Sequence, residues 1–227
     1  QKDPDGTFPN VPKHQPNPEV TSGLDAAIAL ARAIKADLVL ASDPDADRLA
    51  CAVADGKGDF QILSGNQCAA LMMDFIASTL KARGELRPSH RVYSTLVSSP
   101  LFPSIARAYG LKVKNDLLVG FKWIGDQIKR LNDPQDFLFG SEESIGFMKG
   151  PQTRDKDASV AALLFCELAA KARAAGRTVP ETLDAIYAQY GYFADVGVSI
   201  YLEGAKGSER MSRIMQHLRE NTPREIG

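Results

Sequence analysis

The middle of the chain alternates between short apolar runs and longer amphipathic stretches. Short apolar runs bounded by turn residues indicate buried strands, and longer amphipathic stretches indicate helices. The pattern predicts strands at 91–96, 111–116 and 136–139, separated by helices at 101–109 and 121–131. Strands and helices in alternation are typical of a doubly wound α/β domain. We therefore predict a mixed, mostly parallel sheet with helices on both faces.

The sequence before this domain is rich in proline and then becomes regular. Residues 1–20 contain five prolines, and they predict an extended lead-in. Ser22 is the expected cap of a helix whose buried side carries Leu24, Ile28 and Ile34. The predicted elements of this part are a helix at 23–35, strands at 37–41 and 49–54, a hairpin strand at 59–63 and a helix at 67–83.

The sequence after residue 139 predicts a loop, two helices and an incomplete last unit. The predicted elements are a loop at 140–150, helices at 157–175 and 180–190, a strand at 192–202 and a helix at 209–220. The first 55 residues and the last part of the chain hold too few elements for separate domains. We therefore predict one complete α/β domain at 56–176, flanked by partial α/β domains at 1–55 and 177–227.

Composition and charge narrow the classes of partner. The formal net charge is −1, and no basic block stands out, so neither nucleic acid nor an anionic membrane is an expected partner. No apolar stretch approaches the roughly 18–20 residues that span a bilayer. Cys51, Cys68 and Cys166 lie in apolar segments without a C-x-x-C pair, and we expect three buried thiols in the cytoplasm.

Three aspartates follow the apolar run at 37–41 and carry the strongest chemical signal. Asp43, Asp45 and Asp47 alternate in Asp-Pro-Asp-Ala-Asp-Arg, which ends at Arg48. Three carboxylates so close together repel one another unless a cation gathers them. A hard divalent ion such as Mg²⁺ suits these oxygen ligands and commonly shares its shell with a phosphate. The alternative is a solvated acidic loop without a ligand.

Two metal-binding or phosphatase motifs resemble this loop. An EF-hand needs Gly at its sixth position and Glu at its twelfth, but these positions hold Arg48 and Ala54, so the EF-hand is excluded. A haloacid-dehalogenase-type phosphatase also places D-x-D after a strand. That family prefers Thr or Val where Asp47 stands, so it remains the weaker interpretation.

Further candidate residues follow the later strands. Glu142 and Ser144 are two residues apart, so on an extended loop both point the same way and can bind neighbouring sugar hydroxyls. Backbone N–H groups near Gly120, together with the Lys122 ammonium group, suit an anionic or hydroxylated ligand. Arg154 and Lys156 precede the helix at 157–175 and suit a phosphate. The alternatives are an ordinary loop and simple helix capping by Asp155 or Asp157.

Taken together, these motifs resemble the α-D-phosphohexomutase superfamily, which includes phosphoglucomutase and phosphomannomutase. The family's metal loop, Asp-Gly-Asp-Gly-Asp-Arg, corresponds to residues 43–48, and its sugar loop, Gly-Glu-x-Ser-Gly, corresponds to residues 142–146 with Ile145 inserted. Its Thr-Gly-x-Lys segment matches residues 119–122, and its Lys-Asp-Gly matches residues 156–158. The lead-in at 5–9 and 16–19 is also similar to the family's segment before the metal loop.

The resemblance implies an Mg²⁺-dependent enzyme that moves phosphate between C1 and C6 of a hexose through a phosphoserine. Its substrates would be glucose or mannose 1- and 6-phosphates and the bisphosphate. It implies a metal site at Asp43, Asp45 and Asp47. Arg48, Lys122 and Lys156 would be catalytic, and Gly120, Glu142, Ser144 and Arg154 would bind substrate.

The resemblance also implies that this chain is a fragment that is inactive by itself. The family's serine loop, Thr-Ala-Ser-His-Asn-Pro, and its Arg-x-Ser-Gly-Thr phosphate loop do not occur in the sequence. We therefore expect the end of domain 2, all of domain 3 and the start of domain 4. Two other functions stay open: an Mg²⁺-dependent sugar-phosphate phosphatase and a non-catalytic sugar-phosphate binding module.

Overall fold

The structure of the protein is a computed structural model, which describes residues 5–196, 198 and 200–222. By its contacts the chain divides into two units, Gln1–Phe193 and Ala194–Gly227. The helices are α1 Asp25–Ile34, α2 Gly65–Arg83, α3 Leu101–Ala108, α4 Phe121–Lys129, α5 Ala158–Ala174, α6 Val179–Tyr190 and α7 Gly204–Glu220. The strands are β1 Leu38–Ser42, β2 Leu49–Ala54, β3 Phe60–Leu63, β4 Arg91–Thr95, β5 Lys112–Leu117, β6 Phe137–Ser141 and β7 Phe147–Lys149.

The strands of the first unit form two sheets. The smaller sheet has the order β1-β2-β3 and is antiparallel, which confirms the predicted hairpin. The larger sheet has the order β5-β4-β6-β7. Its strands β4, β5 and β6 are parallel, and β7 runs antiparallel to β6 at the edge. The predicted mixed, mostly parallel sheet is therefore confirmed.

Helices cover both faces of the larger sheet because successive strand residues point to opposite sides. Val92 and Phe147 belong to the main core together with buried residues of α2, α3, α5 and α6. Their neighbours Tyr93 and Met148 belong to a second cluster, which α4 supplies through Phe121, Ile124 and Ile128. Helix α4 packs on this face and connects β5 to β6 along the chain.

Several helix predictions differ in detail from the structure. Ser22 does not cap α1, because residues 21–24 form a 3₁₀ turn and the helix begins at Asp25. Ile34 is 66% exposed at the last turn of α1, whereas Leu24 and Ile28 are buried as predicted. The last helix begins at Gly204 instead of residue 209. Cys166 is exposed, whereas Cys51 and Cys68 are buried.

Two strand predictions also need correction. The predicted loop at 140–150 contains the end of β6 and the whole of β7, which pair as a hairpin. The strand predicted at 192–202 does not form among its described residues, while residues 197 and 199 lie outside the described part. A strand needs a partner for its backbone hydrogen bonds, and the described residues pair none with this segment.

Within the described part of the chain, none of the helices combines the length and the apolarity that crossing a bilayer requires.

A buried histidine makes the stability of this fold depend on pH. The ring nitrogens of His90 lie 3.2 Å from the backbone nitrogen and 3.0 Å from Nε of Arg87, and both of these nitrogens are donors. A neutral ring can accept a hydrogen bond through one nitrogen, whereas a protonated ring presents donors at both. Burial, followed by the nearby Arg87 charge, lowers the pKa of His90. The unfolded chain therefore binds a proton more readily than the folded one.

We expect the free energy of unfolding to fall as the pH drops below about 6.5, where an unperturbed histidine takes up its proton. Urea unfolding followed by Trp123 fluorescence between about pH 5 and 7.5 measures this dependence. His90→Asn should flatten it, while His217→Gln, which removes an exposed histidine of α7, should not. Equal slopes for His90→Asn and the wild type would contradict the assignment.

Candidate functional site

The three aspartates lie on the connection between β1 and β2. These strands pair as an antiparallel hairpin that is in register from Leu38 and Val53 to Ser42 and Leu49. The expected placement at the carboxyl end of a strand is correct, but the edge belongs to an antiparallel sheet and not to the parallel one. Ala46 has a φ of 55°, so the connection turns tightly between Asp45 and Asp47.

The three carboxylates converge. One oxygen from each of Asp43, Asp45 and Asp47 lies within 4.8 Å of the others. Asp43 is buried and organises the loop, because its Oδ1 accepts hydrogen bonds from the backbone nitrogens of Asp47 at 3.1 Å and Arg48 at 3.0 Å. Asp45 is exposed and makes no salt bridge within the described part of the chain. The loop therefore presents oxygen ligands on a fixed backbone.

Two cations lie beside the carboxylates. Arg48 Nε is 2.6 Å from Asp43 Oδ2, and its Nη1 is 3.1 Å from Asn17 Oδ1 and 3.3 Å from Glu19 Oε2. Lys156 Nζ is 2.6 Å from Asp47 Oδ2. The aspartate loop thus contacts Lys156, which lies far along the chain, and Arg48 and Lys156 offset part of the negative charge of the loop.

The ionisation of these groups follows from burial and pairing. Burial raises the pKa of the Asp43 carboxyl, but hydrogen bonds from Arg48 outweigh it and hold the pKa below its usual value. Burial, together with the neighbouring Asp43, keeps the pKa of Asp47 raised despite Lys156. Burial lowers the pKa of Lys156, but Asp47 and Asp155 more than restore it, so the pKa is raised. Lys156 therefore stays a cation.

Glu142 begins a tight turn between β6 and β7. The backbone nitrogen of Glu142 donates to the carbonyl of Gly146 at 2.8 Å, and Ile145 has a φ of 56°. The expectation of an extended loop is wrong, because residues 143–145 are a turn and a bend. Glu142 and Glu143 nevertheless diverge: Glu142 Oε1 accepts from Gly120 N at 2.8 Å, while Glu143 Oε2 accepts from Thr95 Oγ1 at 2.8 Å.

Burial defines the character of the Glu142 carboxylate. The residue is 4% exposed. Burial raises the pKa of Glu142, and the hydrogen bond from Gly120 and the charge of Lys156 offset this only in part. A Cβ added at Gly146 would lie 3.2 Å from Glu142 Oε2 and 2.7 Å from Cδ of Lys156. Glycine at this position therefore leaves room for both side chains.

Backbone pairing joins the aspartate loop to the Glu142 turn. Arg48 and Gly146 form an isolated antiparallel bridge, and Leu49 N donates to the carbonyl of Ile145 at 2.9 Å. Ala158 N, at the start of α5, donates to the carbonyl of Ala46 at 3.0 Å. The predicted metal loop, the predicted sugar loop and Lys156 thus form one cluster.

Among the described residues, three predicted residues form no hydrogen bond or ion pair with the aspartate loop or with Glu142. Lys122 is exposed, and its Nζ lies 5.4 Å from the centre of the Trp123 ring. Ser144 is half-buried in the turn, and Arg154 is exposed on the approach to α5. The described residues show no ion pair between Lys122 or Arg154 and an aspartate of the loop.

Sequence reasoning missed two residues that support the turn. Thr95, at the end of β4, is 1% exposed and binds Glu143. Gly65, the first residue of α2, packs so closely that an added Cβ would lie 2.1 Å from the Glu143 carbonyl oxygen. Neither has a local sequence signal, although the position of Thr95 after a predicted parallel strand would have justified attention.

Comparisons with known families agree on one group of proteins. The sequence matches the family model described as phosphoglucomutase/phosphomannomutase, alpha/beta/alpha domain III, over residues 64–190. It matches the model for alpha/beta/alpha domain II of the same proteins over residues 1–57.

Individual relatives agree with the family models. A phosphoglucomutase of Staphylococcus aureus strain N315 is 38% identical over 224 residues, which cover 98% of this chain and 39% of that protein. The chain thus spans about two fifths of the length of the curated relatives it matches.

Solved structures share the fold. A protein of Thermus thermophilus, provisionally described as a phosphomannomutase, superposes with a TM-score of 0.62 at 23% identity, over 81% of this chain and 37% of the other. A phosphoglucomutase/phosphomannomutase family protein of Burkholderia thailandensis gives 0.54 at 22% identity, over 71% of this chain and 32% of the other.

Proposed function

The chain belongs to the phosphoglucomutase/phosphomannomutase family, and from this premise we propose that its complete protein moves a phosphoryl group between the C1 and C6 hydroxyls of a hexose. The observation that carries the proposal is the cluster in which Arg48 pairs with Gly146 and Lys156 contacts Asp47. The aspartate loop and the buried Glu142 carboxylate, which we propose binds hydroxyl groups, therefore lie close together. Glucose and mannose phosphates and their bisphosphates are the proposed substrates.

Asp43, Asp45 and Asp47 are the residues that would hold Mg²⁺. Their converging oxygens fit a hard divalent cation, which prefers carboxylates. Bound there, the ion would neutralise developing charge and act as a Lewis acid on a phosphoryl oxygen. Asp43 contributes a second property, because its hydrogen bonds to the backbone keep the loop in shape before any ion binds.

Arg48 and Lys156 are the proposed charge-neutralising groups for the transferred phosphoryl oxygens. Phosphoryl transfer depends mainly on positioning and on electrostatic stabilisation. The pKa of Lys156 is raised, so this side chain is a cation. It contacts Asp47 and lies against Gly146, and it can therefore reach a ligand held between the aspartate loop and the Glu142 turn. Lys122 and Arg154 are exposed and are proposed as outer contacts for the phosphate that does not react.

Glu142 and Ser144 are the proposed sugar contacts, and Gly120, whose N–H donates to Glu142, is proposed to line the same site. One carboxylate oxygen of Glu142 accepts a hydrogen bond from Gly120 N. The other oxygen has lone pairs that can accept hydrogen bonds from hydroxyl groups. A buried carboxylate binds hydroxyls more strongly than a solvated one, since water competes less.

We further propose the division into domains at 1–55, 56–176 and 177–227. We also propose a cytoplasmic location, and the three free cysteines support this location.

The test of the proposed function uses the complete reading frame and the 227-residue chain side by side. Purified complete protein should convert glucose 1-phosphate to glucose 6-phosphate with Mg²⁺. The 227-residue chain should not, because covalent phosphoryl transfer needs a nucleophile and the family's serine loop is not in this sequence. Release of free phosphate would instead indicate the phosphatase, binding without turnover would indicate a binding module, and turnover by the 227-residue chain would contradict the proposal.

Metal binding can be tested on this chain directly. Asp45→Asn should weaken Mg²⁺ binding at least about tenfold, since it removes one charged ligand of a hard cation. The fold should persist, because Asp45 is exposed and makes no salt bridge with the described residues. Calorimetry measures the affinity. Asp116→Asn, which changes an exposed aspartate 3.3 Å from Lys114, is the matched control. Equal affinities for Asp45→Asn and the wild type would remove Asp45 from the site.

A further inference from the structure

A small polar cavity lies at the other end of the larger sheet from Glu142. Its volume is about 240 Å³, and its lining consists of Arg91, Tyr93, Gln127, Arg130, Leu131, Asn132 and Asp136. Arg91 opens β4 and is in register with Phe137, the first residue of β6. Glu142 directly follows β6 at its opposite end. The cavity is therefore separate from the candidate site.

The polar groups around this cavity include many hydrogen-bond donors. Arg91 and Arg130 contribute guanidinium groups, and Gln127 and Asn132 contribute amides. Tyr93 is 4% exposed, and its hydroxyl makes no hydrogen bond to the described residues. The lining thus offers many N–H and O–H groups around a small volume.

Arg91 has no direct partner among the described residues. Its Nε is buried without a hydrogen-bond partner, and the described residues form no salt bridge with it. Leaving a buried charged donor unsatisfied costs on the order of 1–3 kcal/mol or more. A water molecule can accept the hydrogen bond but cannot balance the charge. A guanidinium group is best satisfied by an oxyanion, which accepts two parallel hydrogen bonds.

The carboxylate of the lining makes no ion pair with Arg91. Asp136, the only carboxylate in the lining, is 3.6 Å from Arg87. Arg130 Nε is 2.8 Å from Asp126, so the rest of its guanidinium group stays available. The carbonyl end of α4 carries only about half a negative charge. The lining itself holds two guanidinium groups and one carboxylate, which leaves one net positive charge for an anion.

We propose that this cavity binds a small oxyanion, namely inorganic phosphate or the phosphate group of a small metabolite. The volume is below the roughly 300 Å³ at which sites for larger ligands begin. Arg91 supplies a guanidinium group with a buried Nε, Arg130 supplies a second cation at the rim, and Tyr93 and Asn132 add neutral donors. The cavity also touches α4 through Gln127, and α4 starts at the residue after Gly120.

The test is a titration of the 227-residue chain with inorganic phosphate at constant ionic strength, followed by ¹H–¹⁵N NMR spectra. The Arg91 Nε–H signal and the amides of Tyr93 and Asn132 should shift and saturate in the millimolar range. Amides of the loop at 43–48 report any separate binding there. Sulfate should compete, as it has the same charge and shape.

Variants distinguish a specific phosphate site from non-specific attraction of the anion to positive charge. Arg91→Gln should weaken binding at least tenfold, and Arg130→Gln several-fold. Arg107→Gln removes an exposed arginine that binds Asn115 on another surface and should leave the affinity unchanged. If Arg91→Gln does not fold, Arg130→Gln decides, because its side chain is 71% exposed. Shifts that do not saturate, or that survive Arg130→Gln and Arg91→Gln unchanged, would overturn the proposal.

Discussion

Replacing Glu142 with alanine is expected to lower the proposed mutase activity of the complete protein, measured as kcat/KM, about 100-fold, which corresponds to roughly 2.7 kcal/mol of lost transition-state stabilisation. The carboxylate is buried, and one of its oxygens is fixed by Gly120 N at 2.8 Å. The other oxygen can accept hydrogen bonds from neighbouring sugar hydroxyls, which alanine cannot do. A steady-state assay with glucose 1-phosphate measures the loss.

The alanine variant removes two functions together, so a second variant is needed to separate them. Glu142 binds the sugar in our proposal, and it also anchors Gly120 in the structure. In Glu142→Gln the amide oxygen can still accept from Gly120 N, but the remaining NH₂ group is a donor. If the carboxylate binds hydroxyls, Glu142→Gln should lose most of the activity that Glu142→Ala loses. Near-normal activity of Glu142→Gln would show that Glu142 only holds Gly120 in place and does not bind the sugar.

Glu143 provides the internal control, and the structure determines which substitution to use. Glu143 Oε2 accepts from Thr95 Oγ1, whose residue is 1% exposed, so alanine would leave a buried hydroxyl with fewer partners. Glu143→Gln keeps an acceptor at this position and should cost much less activity than either Glu142 variant. Mg²⁺ affinity should barely change in all three, because the aspartates are on another loop. Equal losses at the two positions would contradict the assignment of Glu142.

Local signals identified aspartates whose oxygens converge, but not the contacts that these aspartates make with distant segments. The alternating aspartates after an apolar run indicated a metal loop, and their oxygens do converge. Nothing in the local sequence indicates that Arg48 pairs with Gly146, or that Lys156 lies 2.6 Å from Asp47. These contacts join segments far apart in the chain, and they depend on how the two sheets and α5 pack.

The errors in the fold have the same origin. Residues 147–149 are too few to stand out as a strand, and they become one because β6 lies beside them. The alternation at 192–202 is a strand pattern without a partner among the described residues. The Glu142 turn departs from an extended loop because Ile145 adopts a left-handed conformation, which β-branched residues rarely do. In each case the outcome depends on the presence or absence of long-range partners and not on the local pattern alone.

Replacing Gly65 with alanine is expected to lower the free energy of unfolding by about 3 kcal/mol, at the upper end of the usual cost of overpacking. The added Cβ would lie 2.1 Å from the carbonyl oxygen of Glu143, 2.8 Å from its carbonyl carbon and 2.9 Å from Ile145 N. All three are backbone atoms, so no side chain can rotate away. Helix α2 cannot retreat either, because Cys68, Ala69 and Met72 are buried in the main core.

The strain should therefore appear in the Glu142 turn as well as in the overall stability. If the turn moves, the hydrogen bond from Gly120 N to Glu142 should weaken, and the Gly120 amide should exchange with solvent faster. Urea unfolding gives the stability, and hydrogen exchange followed by NMR gives the local effect. Gly23→Ala is the matched control, since a Cβ there meets nothing within 4 Å, and it should change stability by less than about 1 kcal/mol. Unchanged stability and unchanged Gly120 exchange in Gly65→Ala would show that α2 does not support the turn.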